Sequence, residues 1–120
     1  MIVAGFGFRA AATAESLADA FQRSGGCADK AATAADKAAS NAFKTFAQTA
    51  DLSIHPIDAA TLTRQEVLTQ SNASSAARGT GSVAEAAALA AAGVGGRLLG
   101  PRVVSGDGMA TCALAEGNGT

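Results

Sequence analysis

Ile2-Val3-Ala4-Gly5-Phe6-Gly7-Phe8-Arg9 opens the chain. Its first three residues read as a short buried strand, and the two glycines read as a loop that ends it. Thr13 then caps a helix whose first turn carries Glu15, where a carboxylate suits the positive end of the dipole. Ala14, Leu17, Ala18 and Phe21 recur at helical spacing and define its buried face. A strand that passes through a loop into a helix points to an α/β fold if the pattern continues.

It does continue. Ser24-Gly25-Gly26 ends the first helix. Residues 28–39 are alanine-rich with Asp29, Lys30, Asp36 and Lys37, a helical composition, with a short strand near Ala31 to Thr33 as the rival reading. Ser40 caps a second helix with Phe43, Phe46, Ala47 and Ala50 inside. Leu52 to His55 alternates like a half-buried strand, which Pro56 shortens or places at an edge. Residues 58–78 are polar and read as surface loop, with a helical pattern around Arg64 to Leu68. Ser82-Val83-Ala84-Glu85 has capping-box spacing, and alanines run on to Ala92 before Gly93. That helix has almost no polar face, so it is expected to be buried against the sheet or against a second copy in a two-fold dimer. Arg97 to Val104 and Met109 to Ala115 are two strands joined by the turn Ser105-Gly106-Asp107-Gly108. The expected architecture is three-layer α/β/α, a mixed sheet of about five strands with a C-terminal hairpin. Residues 1–115 form one domain and 116–120 a flexible tail.

Composition narrows the function. The apolar residues are mostly alanine, with five phenylalanines and no tryptophan or tyrosine, so layers must approach closely to exclude water. Nine basic and ten acidic residues leave a net charge of −1, and no basic stripe is interleaved with aromatics, which excludes nucleic acid as the expected partner. No apolar run approaches the ~20 residues that span a bilayer. The N-terminus lacks a charged leading segment and Arg9 interrupts it early, so it reads as a strand of a cytoplasmic protein rather than a signal peptide. Cys27 and Cys112 stand alone, which signals neither a metal site nor a disulfide framework, and no cofactor is implied.

Three patches resemble the family of CobE and the C-terminal domain of CbiG, proteins of cobalamin biosynthesis. The opening Ile2 to Arg9 with Thr13 and Glu15 is similar to its first strand, glycine loop and helix start. Thr33 and Lys37 resemble an Ala-Thr-x-x-x-Lys segment. Ser82 to Leu89 with Gly93, then Leu98-Leu99-Gly100-Pro101-Arg102 and Thr111, is the strongest match. Departures are Ala10 and Ala11 after Arg9, Ser40 at an acidic position, and Arg102 in place of a lysine. The resemblance implies a three-layer domain that binds or acts on a corrin-ring precursor; full-length CbiG hydrolyses a ring lactone.

Each candidate residue has a plainer alternative. Gly5-x-Gly7-x-x-Ala10 imitates a dinucleotide fingerprint, whose glycines let backbone N–H groups approach an anion, yet it also suits an ordinary turn. Arg9, Lys37 and Arg102 on one cleft would suit the acetate and propionate arms of a corrin precursor, or be solvated surface charges. Glu15 and Glu85 would serve as a base in lactone hydrolysis, but helix capping explains both. His55, the only histidine, is structural or exposed, and Ser71 and Ser82 suit turn and cap roles. The expected site has Gly5, Gly7 and Arg9 as one wall, with Lys37, Glu85 and Arg102 near it and Thr33 and Ser82 contributed by the family motifs. Three readings follow: a corrinoid-precursor protein, catalytic or not; a non-catalytic partner subunit of a pathway enzyme; or a small-nucleotide binder using the Gly5 loop.

Overall fold

Strand β1 (Ile2–Phe8) divides its residues by the two-residue period of a strand, with Ala4 and Phe6 buried on one face and Val3 on the other. The computed structural model describes residues 1–63, 83–93 and 95–117. Following β1 come α1 (Ala14–Ser24), β2 (Lys30–Ala34), the single turn α2 (Ala35–Ala38), α3 (Asn41–Ala50), β3 (Ser53–Ile57) and α4 (Ala59–Thr63). Then come α5 (Val83–Ala92), β4 (Arg97–Leu98), β5 (Val103–Val104) and β6 (Ala110–Glu116). One mixed six-stranded sheet has the order β3-β2-β1-β6-β4, and β5 also pairs with β6. Strands β1, β2 and β3 are parallel, whereas β6 runs antiparallel to β1, β4 and β5.

The two faces are packed with different chemistry. On the first, α1 and α3 close over Phe6, with Phe21, Phe43 and Phe46 around it and Phe8 at the margin. The Phe6 ring meets those of Phe46 and Phe43 edge-on, with centroids 5.0 and 5.7 Å apart, the arrangement their quadrupoles favour. On the second face, α5 lies directly on β1. A Cβ on Gly5 would sit 2.8 Å from the Ala88 Cβ and would overlap the Ala84 carbonyl oxygen. The alanines of α5 and the glycines of β1 are therefore two halves of one close approach. Ala84 to Ala88 and Ala92 are buried in this way, with Leu62 of α4 in the same cluster, while Leu89 to Ala91 are half-buried. One side of α5 is thus covered by the chain's own sheet.

Several expectations take a different form. Gly5 to Phe8 are not a loop: they continue β1, paired with β6 as far as Phe8 opposite Ala110. Residues 28–39 divide between a strand and one helical turn, because burial between β1 and β3 overrides the helical propensity of alanine. Pro56 does sit in an edge strand, β3. The first arm of the hairpin is broken around Gly100-Pro101 into β4 and β5, and Leu99 still donates its N–H to the Leu114 carbonyl (2.9 Å). Glu116, expected to start the tail, is the last residue of β6, and the N–H of Gly117 donates to the Met1 carbonyl (3.0 Å). Thr13 and Ser40 cap α1 and α3 as expected, though Ser16 rather than Glu15 completes the α1 box. The helical pattern at Arg64 to Leu68, Ser71 and Ser82 lie outside the described residues.

The hairpin turn is fastened to the start of α1. The Asp107 carboxylate accepts hydrogen bonds from the hydroxyls of Ser16 (2.6 Å) and Ser105 (2.5 Å) and from the Met109 N–H (3.0 Å). Asp19 accepts from the Gly106 N–H (2.6 Å) and from Arg23 (2.9 Å). The Ser105 hydroxyl first, then Ser16 and the Met109 N–H, hold the Asp107 carboxyl down at about 2. The Gly106 N–H, then Arg23, lower that of Asp19. A carboxyl depressed on folding stabilises the fold fully above its unfolded pKa of ~3.9, and that contribution is lost as pH falls towards the folded value. The melting temperature should therefore fall between pH 4 and about 2 in the wild type. In Asp107→Asn the fall should be shallower, and identical acid limbs in melts across that range would contradict the clasp.

Candidate functional site

The sheet reverses its strand order at β1. Strands β2 and β3 lie on one side of it and β6, β4 and β5 on the other; α1, over β6, and α3 cover the first face, and α5 covers the second over β1, β6 and β2. In open α/β sheets, ligands bind outside the carboxyl ends of the strands at such a point. Here the strands also part. The β1–β2 ladder ends at Gly5 opposite Ala32, while β1 runs on with β6 to Phe8 and β2 runs on with β3 to Ala34. Beyond the ladder, the buried Thr33 hydroxyl donates to the Phe6 carbonyl (2.8 Å), and across β1 the Thr111 hydroxyl donates to that of Gly7 (3.1 Å). The Thr33 side chain thus satisfies a β1 carbonyl beyond the end of the β1–β2 ladder, and the crevice is the place where these two strands part.

Part of the sequence-predicted set lies at this end. Gly7 lies under the first turn of α5, where a Cβ would come within 3.0 Å of Thr111 Oγ1 and 3.4 Å of the Val83 side chain. Arg9 follows β1 directly, its side chain exposed and its N–H bonded to the Met109 carbonyl (2.9 Å). Lys37 sits in α2, beyond the end of β2, with its ammonium 5.4 Å from the centroid of the Phe8 ring. On the opposite face Glu85 is fully buried in the first turn of α5 and accepts the Arg102 backbone N–H (2.9 Å). Arg102 itself is half-buried between β4 and β5. Among the described residues Arg9, Lys37 and Arg102 make no ion pair, and neither does Lys44 at the far end, whereas Arg23 and Arg97 pair with Asp19 and Glu116.

Others do not join them. Gly5 is covered by α5 and flanked by two strands, so its face holds no ligand. This removes the Gly5 loop on which the nucleotide-binding alternative rested. Thr33 is buried with its hydroxyl committed to Phe6, and it acts at the mouth of the crevice as a spacer. Glu15 is exposed in the first turn of α1. His55 is half-buried in β3, where burial first and then the Lys30 charge lower its pKa. Burial pushes the Cys112 thiol up to about 12, and Cys27 is exposed. Among the described residues no three His, Cys, Asp or Glu side chains cluster as metal ligands, and no helix is long and apolar enough to cross a membrane. A surface depression of ≈ 460 Å³, lined by Lys44, Ala47, Gln48, Asp51, Leu52 and Ile54, lies at the amino end of β3, away from the crevice.

Glu85 reads as structural. Its carboxylate ties the start of α5 to the segment between β4 and β5, so Glu85→Ala leaves the partly buried Arg102 N–H without that acceptor. The expected loss is ~1–3 kcal/mol, measured by denaturant unfolding. An unchanged midpoint would contradict that role.

Sequence reading gave no sign of the contact between Phe8 and Lys37, seeing Phe8 only as part of the opening strand motif. The ring-to-ammonium contact with Lys37 joins residues 29 positions apart, which no local pattern signals.

Known proteins share this fold. The family described as cobalamin synthesis G C-terminus matches residues 2–115. No curated protein matches the chain. Among solved structures, CobE, described as a protein from the cobalamin (vitamin B12) biosynthetic pathway, is 29% identical with a TM-score of 0.84, over 96% of this chain and 89% of that one. The cobalamin biosynthesis protein chiG from Agrobacterium tumefaciens strain C58 is 32% identical with a TM-score of 0.73, over 98% of this chain and 99% of that one.

Proposed function

The chain belongs to the cobalamin synthesis G C-terminal family, and from that premise we propose that it binds a carboxylate-rich corrin precursor at the carboxyl end of β1. The observation that supports this reading is that Arg9 and Lys37 lie at that end and that they and Arg102, which lies across β6, have no ion pair among the described residues. A corrin precursor bears acetate and propionate arms around its ring, and several cationic contacts match it better than one. The ligand is held and handed on in the cytoplasm.

Binding is favoured over lactone hydrolysis because neither candidate carboxylate is placed as a base. Glu85 is buried and bonded to the Arg102 N–H, and Glu15 stands exposed on a helix start.

The test is an absorbance titration with cobyrinic acid, a corrin with free carboxylate arms, at two salt concentrations. A charge-assisted contact of ~1.5–3 kcal/mol predicts that Arg9→Ala weakens binding roughly tenfold to a hundredfold, with affinity falling as salt rises. Equal affinity of the two proteins, or affinity indifferent to salt, would remove the electrostatic cleft.

A further inference from the structure

Phe8 ends β1 with its ring lying flat on that of Phe43, centroids 5.7 Å apart and planes 10° from parallel. Phe43 is fully buried in the aromatic cluster, so it holds Phe8 rigidly, while Phe8 itself is only half-buried. The ammonium of Lys37 stands over the Phe8 ring. Lys37 carries no ion pair among the described residues, and a cation–π contact at a partly exposed ring is weak enough to exchange for a carboxylate. Arg9 is the next residue along the chain, beside the crevice where β1 and β2 part. A rigid aromatic face, a movable cation lying on it and a second cation beside it form a site for a flat, carboxylate-bearing ring.

We propose that Phe8 and Lys37 act as a platform and its cover: Lys37 leaves the Phe8 ring to pair with a carboxylate arm, and the macrocycle packs on the face it uncovers. This rests on the corrin-precursor reading and adds a selectivity to it. The cations alone accept any polycarboxylate; the platform favours those built on an extended ring. Phe8 is thus a specificity-determining contact and Lys37 an anion contact.

The chain has no tryptophan or tyrosine, so Phe8→Trp introduces a single fluorophore at the platform. Its emission should be quenched on titration with cobyrinic acid or uroporphyrin III, and should not respond to citrate, a polycarboxylate without a ring. In absorbance titrations Phe8→Leu should weaken binding of both macrocycles roughly tenfold, while the affinity for citrate, read from competition, is the same for wild type and variant. Lys37→Gln should weaken macrocycles and citrate alike. Phe8→Leu binding both macrocycles as tightly as wild type would overturn the platform. So would unquenched emission from the Phe8→Trp variant when absorbance shows the macrocycle bound, a readout that stands even where Phe8→Leu fails to fold. Wild type binding neither macrocycle is the distinct failure of the corrin-precursor reading itself, and it takes the platform with it.

Discussion

Gly5→Val is expected to abolish folding, and Gly5→Ala to lower the melting temperature by roughly ten degrees or more. The added Cβ would sit 2.8 Å from the Ala88 Cβ and would overlap the Ala84 carbonyl. Backbone on both sides cannot give way as a flexible side-chain end does, so α5 must lift off the sheet. Overpacking in a tight core costs ~1–3 kcal/mol and more when backbone moves, against a typical domain stability of ~5–15 kcal/mol. At ~4–8 °C per kcal/mol in a chain of this size, a loss of ~3 kcal/mol exceeds ten degrees. Gly100→Ala is the matched control, since nothing lies within 4 Å of its added Cβ, and it should change the midpoint little. Circular-dichroism melts of the three variants check this, and equal midpoints for Gly5→Ala and Gly100→Ala would contradict the close approach of α5 and β1.

Phe6→Ala comes next in size. Phe6 is fully buried and meets three other rings, those of Phe21, Phe43 and Phe46. Removing the ring leaves a cavity between the sheet and two helices, at a cost of ~3–5 kcal/mol. Phe6→Leu should cost clearly less, because it keeps most of the apolar volume. Urea unfolding followed by far-ultraviolet circular dichroism separates the two. A loss below ~1 kcal/mol for the alanine variant would show that the rings do not form one cluster. Because the other face is lined with alanine, this aromatic cluster carries a large share of the buried apolar area.

The α/β class, the caps at Thr13 and Ser40, the edge position of Pro56 and the terminal hairpin were legible because each depends on residues close in sequence. Gly5 and Gly7 were misread for the opposite reason. Glycines after three apolar residues look like a loop, and the feature that makes them strand residues is a helix some eighty positions later. Lys30 to Ala34 has the composition of a helix, and its strand state comes from lying between β1 and β3. The Asp107 clasp joins residues 91 positions apart through Ser16, so no motif could announce it. For the site, the resemblance to a known family picked out Arg9, Lys37 and Arg102; the fold puts Arg9 and Lys37 at the carboxyl ends of β1 and β2 and Arg102 across β6. Resemblance did not distinguish the exposed Arg9 from Gly5 and Thr33, which are buried within the fold.

The central claim is a location: the carboxyl end of β1. Amide chemical-shift mapping of the 15N-labelled chain during titration with cobyrinic acid tests it most directly. The expected result is saturable shifts at Phe8, Arg9, Lys37, Arg102 and Thr111, with the amides of Lys44 to Ile54 unmoved. Shifts confined to Lys44 to Ile54, around the depression beside α3, or no saturable shifts at any residue, would contradict it.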